Sequence, residues 1–255
     1  MRLDIMRRPL RLLAGALLAS GAAAIAAGTA AAQETLPFSR VEGTIIGSMP
    51  PLPLPMPASR NHNYWGFRLQ AAQHSGRSGA DLAGIAAGVD LQWRGGSVFG
   101  ATAGYQRAEC DAGVCNDHLM FEGRGRFNFI TGGPTIAAPL GDPNASTTVG
   151  FEMGLGYSPD IMPDVNACAF DIGMPVAIAM LQSVRLVVFA KPTIAWDFHC
   201  GGTSQELATT WIASFGVGLQ QLGLRGLDVN AGFKKLFRDD TGYVFGVSVS
   251  YLLLP

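Results

Sequence analysis

The feature that most constrains this chain is a two-residue alternation that recurs between Tyr64 and Leu253. One parity carries large apolar residues, and the other carries glycine, alanine and charged residues. Successive side chains of a β-strand point to opposite faces, so each alternating stretch predicts a strand with one oily and one ionic face. Such a strand fits a barrel in a membrane, where its apolar face contacts lipid and its charged face borders a polar lumen.

Ten alternating stretches can be counted after residue 62, separated by turn sequences such as 94–96 and 238–240. The clearest runs from Leu119 to Phe129, with phenylalanines at odd positions and charged residues at even positions. Short links imply antiparallel neighbours. The sequence therefore predicts an all-β fold, a closed antiparallel up-and-down transmembrane β-barrel of about ten strands, each about 9–11 residues long. Eight or twelve strands are the alternatives, and twelve would require strands at 41–47 and 135–140.

The parity opposite the apolar residues gives a predicted set of lumen charges. It contains equal numbers of cations and anions, which favours a salt-bridged lumen over an ion-selective ring of one sign. Proline within a strand removes a ladder donor, so Pro192 marks an irregular point in this pattern. The predicted lumen charges are Arg68, Asp90, Glu122, Arg124, Arg126, Glu152, Asp171, Arg185, Lys191, Asp197, Asp228 and Lys234.

The first 61 residues do not share the alternation. Residues 1–32 have a basic head, an apolar stretch and a small-residue exit at Ala32, an order that predicts a cleaved signal peptide. Residues 33–61 are predicted to be a proline-rich N-terminal arm, an extended tether, because prolines between 50 and 57 oppose central β-pairing. The barrel is assigned to 62–255. Without the arginines of the leader the chain is acidic overall, which excludes a nucleic-acid partner.

Aromatic residues and cysteines give two further expectations about the barrel ends. Amphipathic rings prefer the two membrane interfaces, and an up-and-down threading that starts on the inner side divides them between two rims. Tyr105, Tyr157, Trp196, Trp211 and Tyr243 then lie near the outer rim, and Trp65, Trp93 and Tyr251 lie near the inner rim. The four cysteines fall on the outer side, where disulfides Cys110–Cys115 and Cys168–Cys200 are favoured over the other two pairings. A cysteine-based metal site is the rival interpretation, but the C-x-x-C spacing is absent.

The sequence offers little for catalysis. His118 follows Asp117, and neighbours on a strand point to opposite faces, so the two cannot simply form a dyad. His199 shares a face with Asp197, which would sit below it in the lumen wall. The nucleophile elbow, the zinc-protease motif, the P-loop and the complete dinucleotide fingerprint are absent. We therefore expect no catalytic residues, metal or cofactor, and an enzyme is not the favoured reading.

Together, the export signal, the amphipathic strands, the aromatic rims and a last strand at 242–251 resemble bacterial outer-membrane β-barrel proteins. The resemblance implies a location in the bacterial outer membrane, with outer-membrane lipid and the outer-membrane assembly machinery as partners. The favoured function is a structural or surface-interaction role, with outer loops pinned by disulfides. The alternatives are a narrow passive pore for small solutes, a lipid or peptide hydrolase at the rim, and a soluble barrel for an apolar ligand.

Overall fold

The computed structural model describes residues 39–52, 63–75, 80–93, 97–110, 115–132, 146–180, 185–198, 200, 208–220, 226–237 and 242–253. The signal-peptide prediction for 1–32 lies outside these residues. The described elements are the short helix α1 (Ile45–Ser48) and the strands β1 (Tyr64–Ser75), β2 (Ala80–Gln92), β3 (Val98–Cys110), β4 (His118–Gly132), β5 (Ser146–Met162), β6 (Val165–Gly173), β7 (Val176–Met180), β8 (Arg185–Phe198), β9 (Ala208–Gln220), β10 (Leu227–Phe237) and β11 (Tyr243–Leu253).

The strands form one closed antiparallel barrel. Except for β6 and β7, which do not pair with each other, each strand pairs with its neighbours in sequence, and β1 pairs with β11 to close the ring. β6 and β7 both lie between β5 and β8, so they are two parts of one crossing, and the barrel has ten crossings. The predicted fold and the count of ten are confirmed. β4 and β5 have 15 and 17 residues, which is longer than the predicted crossing length.

The break between β6 and β7 has a physical cause in two prolines. Pro175 interrupts this crossing, and the β8 residue Pro192 lies on the neighbouring strand at the same height. Neither residue has an N–H to donate to the ladder. The Met174 N–H donates to the Pro192 carbonyl at 3.0 Å, and the Gly150 N–H donates to the Pro175 carbonyl at 2.9 Å. The irregularity that Pro192 predicted in β8 therefore also affects the neighbouring crossing, which is divided into β6 and β7.

The apolar parity faces outward along the whole barrel. Phe121 and Phe215 are 42% and 55% exposed, whereas Glu152 on the opposite parity is 2% exposed. A soluble barrel would require the reverse arrangement, with apolar side chains in the centre and charges outside. The exterior is therefore that of a barrel in lipid. Within the part of the chain that the structure describes, no helix is long and apolar enough to cross a membrane.

The two ends of the barrel are chemically distinct. We call the end where β1 begins and β11 finishes the terminal end, and the opposite end the disulfide end. Both disulfides lie at the latter, Cys110–Cys115 with a Cα–Cα distance of 5.8 Å and Cys168–Cys200 with 5.9 Å. These are the two pairings that the sequence favoured. Among the described residues, no group of three or more His, Cys, Asp or Glu side chains could hold a metal ion.

Removing each disulfide should have unequal effects on stability. Cys168 and Cys200 are separated by 32 positions, whereas Cys110 and Cys115 are separated by 5. Since a longer closed loop loses more entropy in the unfolded state, we expect the Cys168→Ser/Cys200→Ser variant to lose about 3–4 kcal/mol and the Cys110→Ser/Cys115→Ser variant about 2 kcal/mol. Urea unfolding of the two double variants measures the difference. Equal losses would contradict the loop-length argument.

Candidate functional site in the barrel lumen

The lumen is occupied by a segment of the chain itself. Residues 39–52, which we call the plug segment, lie inside the barrel and include α1. Glu42 lies beside His74 at the disulfide end, and Leu52 borders a cavity with Gly66 and Leu252 at the terminal end. The sequence predicted an extended tether for 33–61 and left a strand at 41–47 as an alternative. The described part instead runs along the lumen and contains a helical turn.

Inward polar side chains bind the plug segment mainly through its carbonyl groups. The Lys234 Nζ donates to the Ile46 carbonyl at 2.7 Å, and the Gln106 Nε2 donates to the Glu42 carbonyl at 3.3 Å. His118 Nε2 lies 3.0 Å from the Gly43 carbonyl oxygen. Among the described residues, no backbone hydrogen bond joins the plug segment to a strand. The segment is therefore held by side chains and packing rather than by the sheet ladder.

Apolar contacts complete the seat of the plug segment. Two small buried clusters hold it, one around Val41 and Ile46 and one around Ile45 and Met49. The barrel residues in these clusters are Ala86, Met120, Ala169, Ala195, Ile212, Leu236 and Val244. Small inward residues are common in this wall, which leaves room for a peptide inside a barrel of ten crossings.

Several lumen glycines are required by the close approach of the plug segment. A Cβ added to Gly232 would lie 2.7 Å from Pro51 Cδ, and one added to Gly246 would lie 2.9 Å from Pro50 Cδ. Other glycines lie under charged side chains of the barrel, as Gly154 lies under the Asp171 carboxylate. The plug segment and the charged side chains therefore occupy much of the space that these glycines leave.

A buried ionic network occupies the lumen wall next to the plug segment. Glu152 is its centre, since it binds Arg126, lies 2.6 Å from Lys191 Nζ and lies 4.0 Å from Arg124. Arg124 also binds Glu122 at 3.0 Å, and Lys191 lies 3.9 Å from the Asp171 carboxylate. Arg68 forms a separate pair with Asp90. These eight residues are all among the predicted lumen charges.

The other four predicted lumen charges lie elsewhere in the lumen. Lys234 binds the plug segment rather than the ionic network. Asp197 is buried near the disulfide end, and Arg185 is partly buried at the terminal end. Asp228 borders a cavity of about 70 Å³ at the terminal end of the lumen. A second cavity of about 10 Å³, room for one water, lies between the plug segment and the network.

His118 and Asp117, which the sequence analysis considered as a catalytic pair, contact different groups. The His118 ring contacts the Asn116 and Gly43 carbonyl groups and the Gln106 side chain. Asp117 instead accepts hydrogen bonds from the Tyr105 hydroxyl at 2.7 Å and the Ala108 N–H at 3.0 Å. These bonds, with the Tyr105 bond the stronger cause, hold the pKa of Asp117 below its usual range. His199 lies outside the described residues.

Sequence reasoning missed the residues that seat the plug segment. Gln70, His74 and Gln106 are inward polar residues on β1 and β3, and no charge pattern marks them. Their partners lie at least 20 positions away in the chain, as in the Gln70–Pro50 contact. One signal was available, because Val41, Ile45, Ile46 and Met49 form an apolar pattern just before the prolines.

The aromatic residues predicted for the rims face outward at both ends. Tyr105, Tyr157, Trp211 and Tyr243 are exposed on the half of the barrel nearer the disulfide end, where Trp196 is partly exposed. Trp65, Trp93 and Tyr251 are exposed near the terminal end. The strand pairing aligns Trp65 with Leu91 and Leu253, beside the strand ends. Such belts are typical of barrels at the two interfaces of a membrane.

Comparison with known proteins finds structural neighbours but no matching sequence. No protein-family model and no curated protein sequence matches this chain. Among solved structures, the translocator domain of the autotransporter NalP from Neisseria meningitidis is 12% identical, with a TM-score of 0.45 over 75% of this chain and 89% of that chain. The transport unit of the autotransporter AIDA-I from Escherichia coli is 10% identical, with a TM-score of 0.44 over 78% and 93%.

The N-terminal barrel domain of OprF from Pseudomonas aeruginosa is 11% identical, with a TM-score of 0.28 over 74% of this chain and 97% of that chain. The resemblance to bacterial outer-membrane β-barrels that the sequence suggested is confirmed at the level of architecture by the closed ten-crossing barrel and its apolar exterior. The fold of this chain is that of bacterial outer-membrane β-barrels, and its apolar exterior is that of a barrel in lipid.

Proposed function

We propose that this chain is an outer-membrane barrel that its own plug segment keeps closed, with a structural or surface-interaction role. The single observation that carries the proposal is the buried plug segment. Val41 and Thr44 are fully buried in the lumen, and inward side chains contact four carbonyl groups of the segment. A segment bound in this way obstructs the lumen, which an open pore would have to keep clear.

The disulfide end is proposed to face outward from the cell, and the terminal end to face the periplasm. Disulfides persist in oxidising compartments, and rigid ends lose less entropy when they bind a partner. Residues 1–32 are proposed to be removed on export, and the barrel to be inserted by the outer-membrane assembly machinery. The lipid of that membrane would then contact the apolar exterior.

The two alternative functions have weaker support. A narrow passive pore needs a continuous polar path, and the plug segment occupies the lumen along its length. A hydrolase at the rim needs a free base; of the two histidines considered, the His118 ring is engaged with Gly43 and Asn116, and His199 lies outside the described residues. Polar loop residues alone do not make a catalytic site.

Electrical recording of the folded full-length barrel in planar bilayers tests the proposal. Since the plug segment occupies the lumen, the wild-type protein is expected to insert without producing steady current steps. Insertion is verified separately by heat-modifiable gel mobility of the same sample. Stable ohmic steps from verified, folded wild-type protein would contradict a lumen blocked by the plug segment and would support the passive pore.

A further inference from the structure

The cavity at the terminal end of the lumen has the features of a ligand site. Its volume is about 70 Å³, which corresponds to about five water-sized spheres or to a very small organic solute. The plug segment closes one side of it through Leu52. The wall combines polar and charged side chains with apolar ones such as Val98 and Leu252, and apart from Leu52 it is built from strands, so its groups are positioned before any ligand arrives.

Charges are distributed unevenly around this cavity. Three guanidinium groups lie on one side, Arg68 from β1 and Arg124 and Arg126 from β4. The opposite side is formed by β9 and β10, which contribute Gln220 and Asp228. Each of these guanidinium groups is ion-paired, Arg68 with Asp90, Arg124 with Glu122 and Arg126 with Glu152. The cavity therefore has a charge-compensated arginine wall, which faces a wall with one carboxylate and two amide side chains.

Several buried polar groups of the wall lack protein partners among the described residues. Arg68 is 3% exposed, and its Nε has no hydrogen-bond partner. The side-chain oxygens of Gln92 and Asn230, residues that are each 3% exposed, have none either. Burying a polar group without a hydrogen-bond partner costs free energy. Such groups at the wall of a cavity therefore indicate that a bound molecule supplies the partners. The occupant must accept from the Arg68 Nε and donate toward the Asn230 side-chain oxygen.

We propose that this cavity binds a small zwitterion, with an amino acid of the size of glycine as the ligand class. Its carboxylate would lie toward the guanidinium groups of Arg68 and Arg124, as guanidinium and carboxylate groups are complementary. Its ammonium group would lie toward Asp228 and the Asn230 side-chain oxygen. Ligand binding here would be a property additional to the proposed structural or surface-interaction role, and it does not require that the lumen conduct ions.

Isothermal titration of the folded full-length barrel in detergent tests the site with three probes: glycine, acetate and methylammonium. Because glycine can meet both walls at once, it is expected to bind about tenfold more tightly than either of the other two probes. Acetate lacks the ammonium group, and methylammonium lacks the carboxylate. The three probes therefore separate a zwitterion site from a simple anion or cation site.

Two variants test whether the wall opposite the arginines contributes to glycine binding. Asp228→Asn keeps the shape but removes the charge, so glycine binding should weaken about tenfold while acetate binding does not weaken. Gln220→Leu should weaken the binding of glycine because it replaces a polar amide of the wall with an apolar side chain of similar size. Lys235→Gln, on the outer face of β10, is the matched control and should bind glycine like the wild type.

Three results would overturn the proposal. These are equal affinity for glycine and acetate, unchanged glycine binding by Asp228→Asn, or no binding of any probe, which would mean that the cavity holds water only. Each can occur in a barrel that stays electrically silent, so failure of this site is distinct from failure of the closed-barrel function.

Discussion

Deleting residues 39–52 is expected to convert an electrically silent barrel into a conducting one. The plug segment makes no backbone hydrogen bonds to the strands among the described residues, so its loss leaves the sheet ladder intact. The inner wall that it would uncover carries polar groups at the former contacts, Gln70, Gln106 and Lys234, beside the apolar residues of the two buried clusters. Single-channel recording in planar bilayers measures the result, with heat-modifiable mobility as the check on folding.

A single substitution gives a milder form of the same test. A Cβ at Gly47 would lie 2.2 Å from the Val41 carbonyl oxygen, a backbone atom that cannot simply move aside. Gly47→Ala should therefore loosen the helical turn of the plug segment and produce intermittent current steps. Gly123→Ala is the matched control, since a Cβ there meets nothing within 4 Å. If the deletion variant folds but stays silent, something other than the plug segment closes the lumen.

The barrel could be predicted from the sequence because the pattern that specifies it is contained within each strand. Each strand of a membrane barrel must turn apolar residues to lipid, so the period of two is visible within a single strand. Phe121 and Phe215 are exposed, and Glu122 and Glu152 are buried, as the alternation requires. The ten crossings follow from the same count.

The plug segment could not be predicted because its contacts are not local. Its turn at 44–49 is short and has no strong periodicity, and its prolines suggested a tether. The seat for it is assembled from strands far apart in the chain, as in the contact between Ile46 and Lys234, which are 188 positions apart. Lys234 was identified as a lumen charge, but nothing in its local sequence shows that its partner is a carbonyl group rather than a carboxylate.

Glu152→Gln is expected to be among the most destabilising single substitutions in this barrel. The side chain is 2% exposed and is the common partner of Arg126 and Lys191, with Arg124 at 4.0 Å. Removing one partner of a buried ion pair leaves uncompensated charge, which costs about 3–5 kcal/mol. Urea unfolding in lipid vesicles measures the loss. Glu109→Gln is the matched control, because the Arg107–Glu109 pair is 67% and 61% exposed and such pairs contribute about 0–1 kcal/mol.

The double variant Glu152→Gln/Lys191→Met shows whether unpaired charge is the cause. It removes one anion and one of the cations that bind it, so part of the lost stability should return. An effect of Glu152→Gln no larger than that of Glu109→Gln would mean that water screens the lumen charges. Screening of that extent requires water throughout the lumen, beyond the two small cavities beside the plug segment, so this one measurement also bears on whether the plug segment fills the barrel.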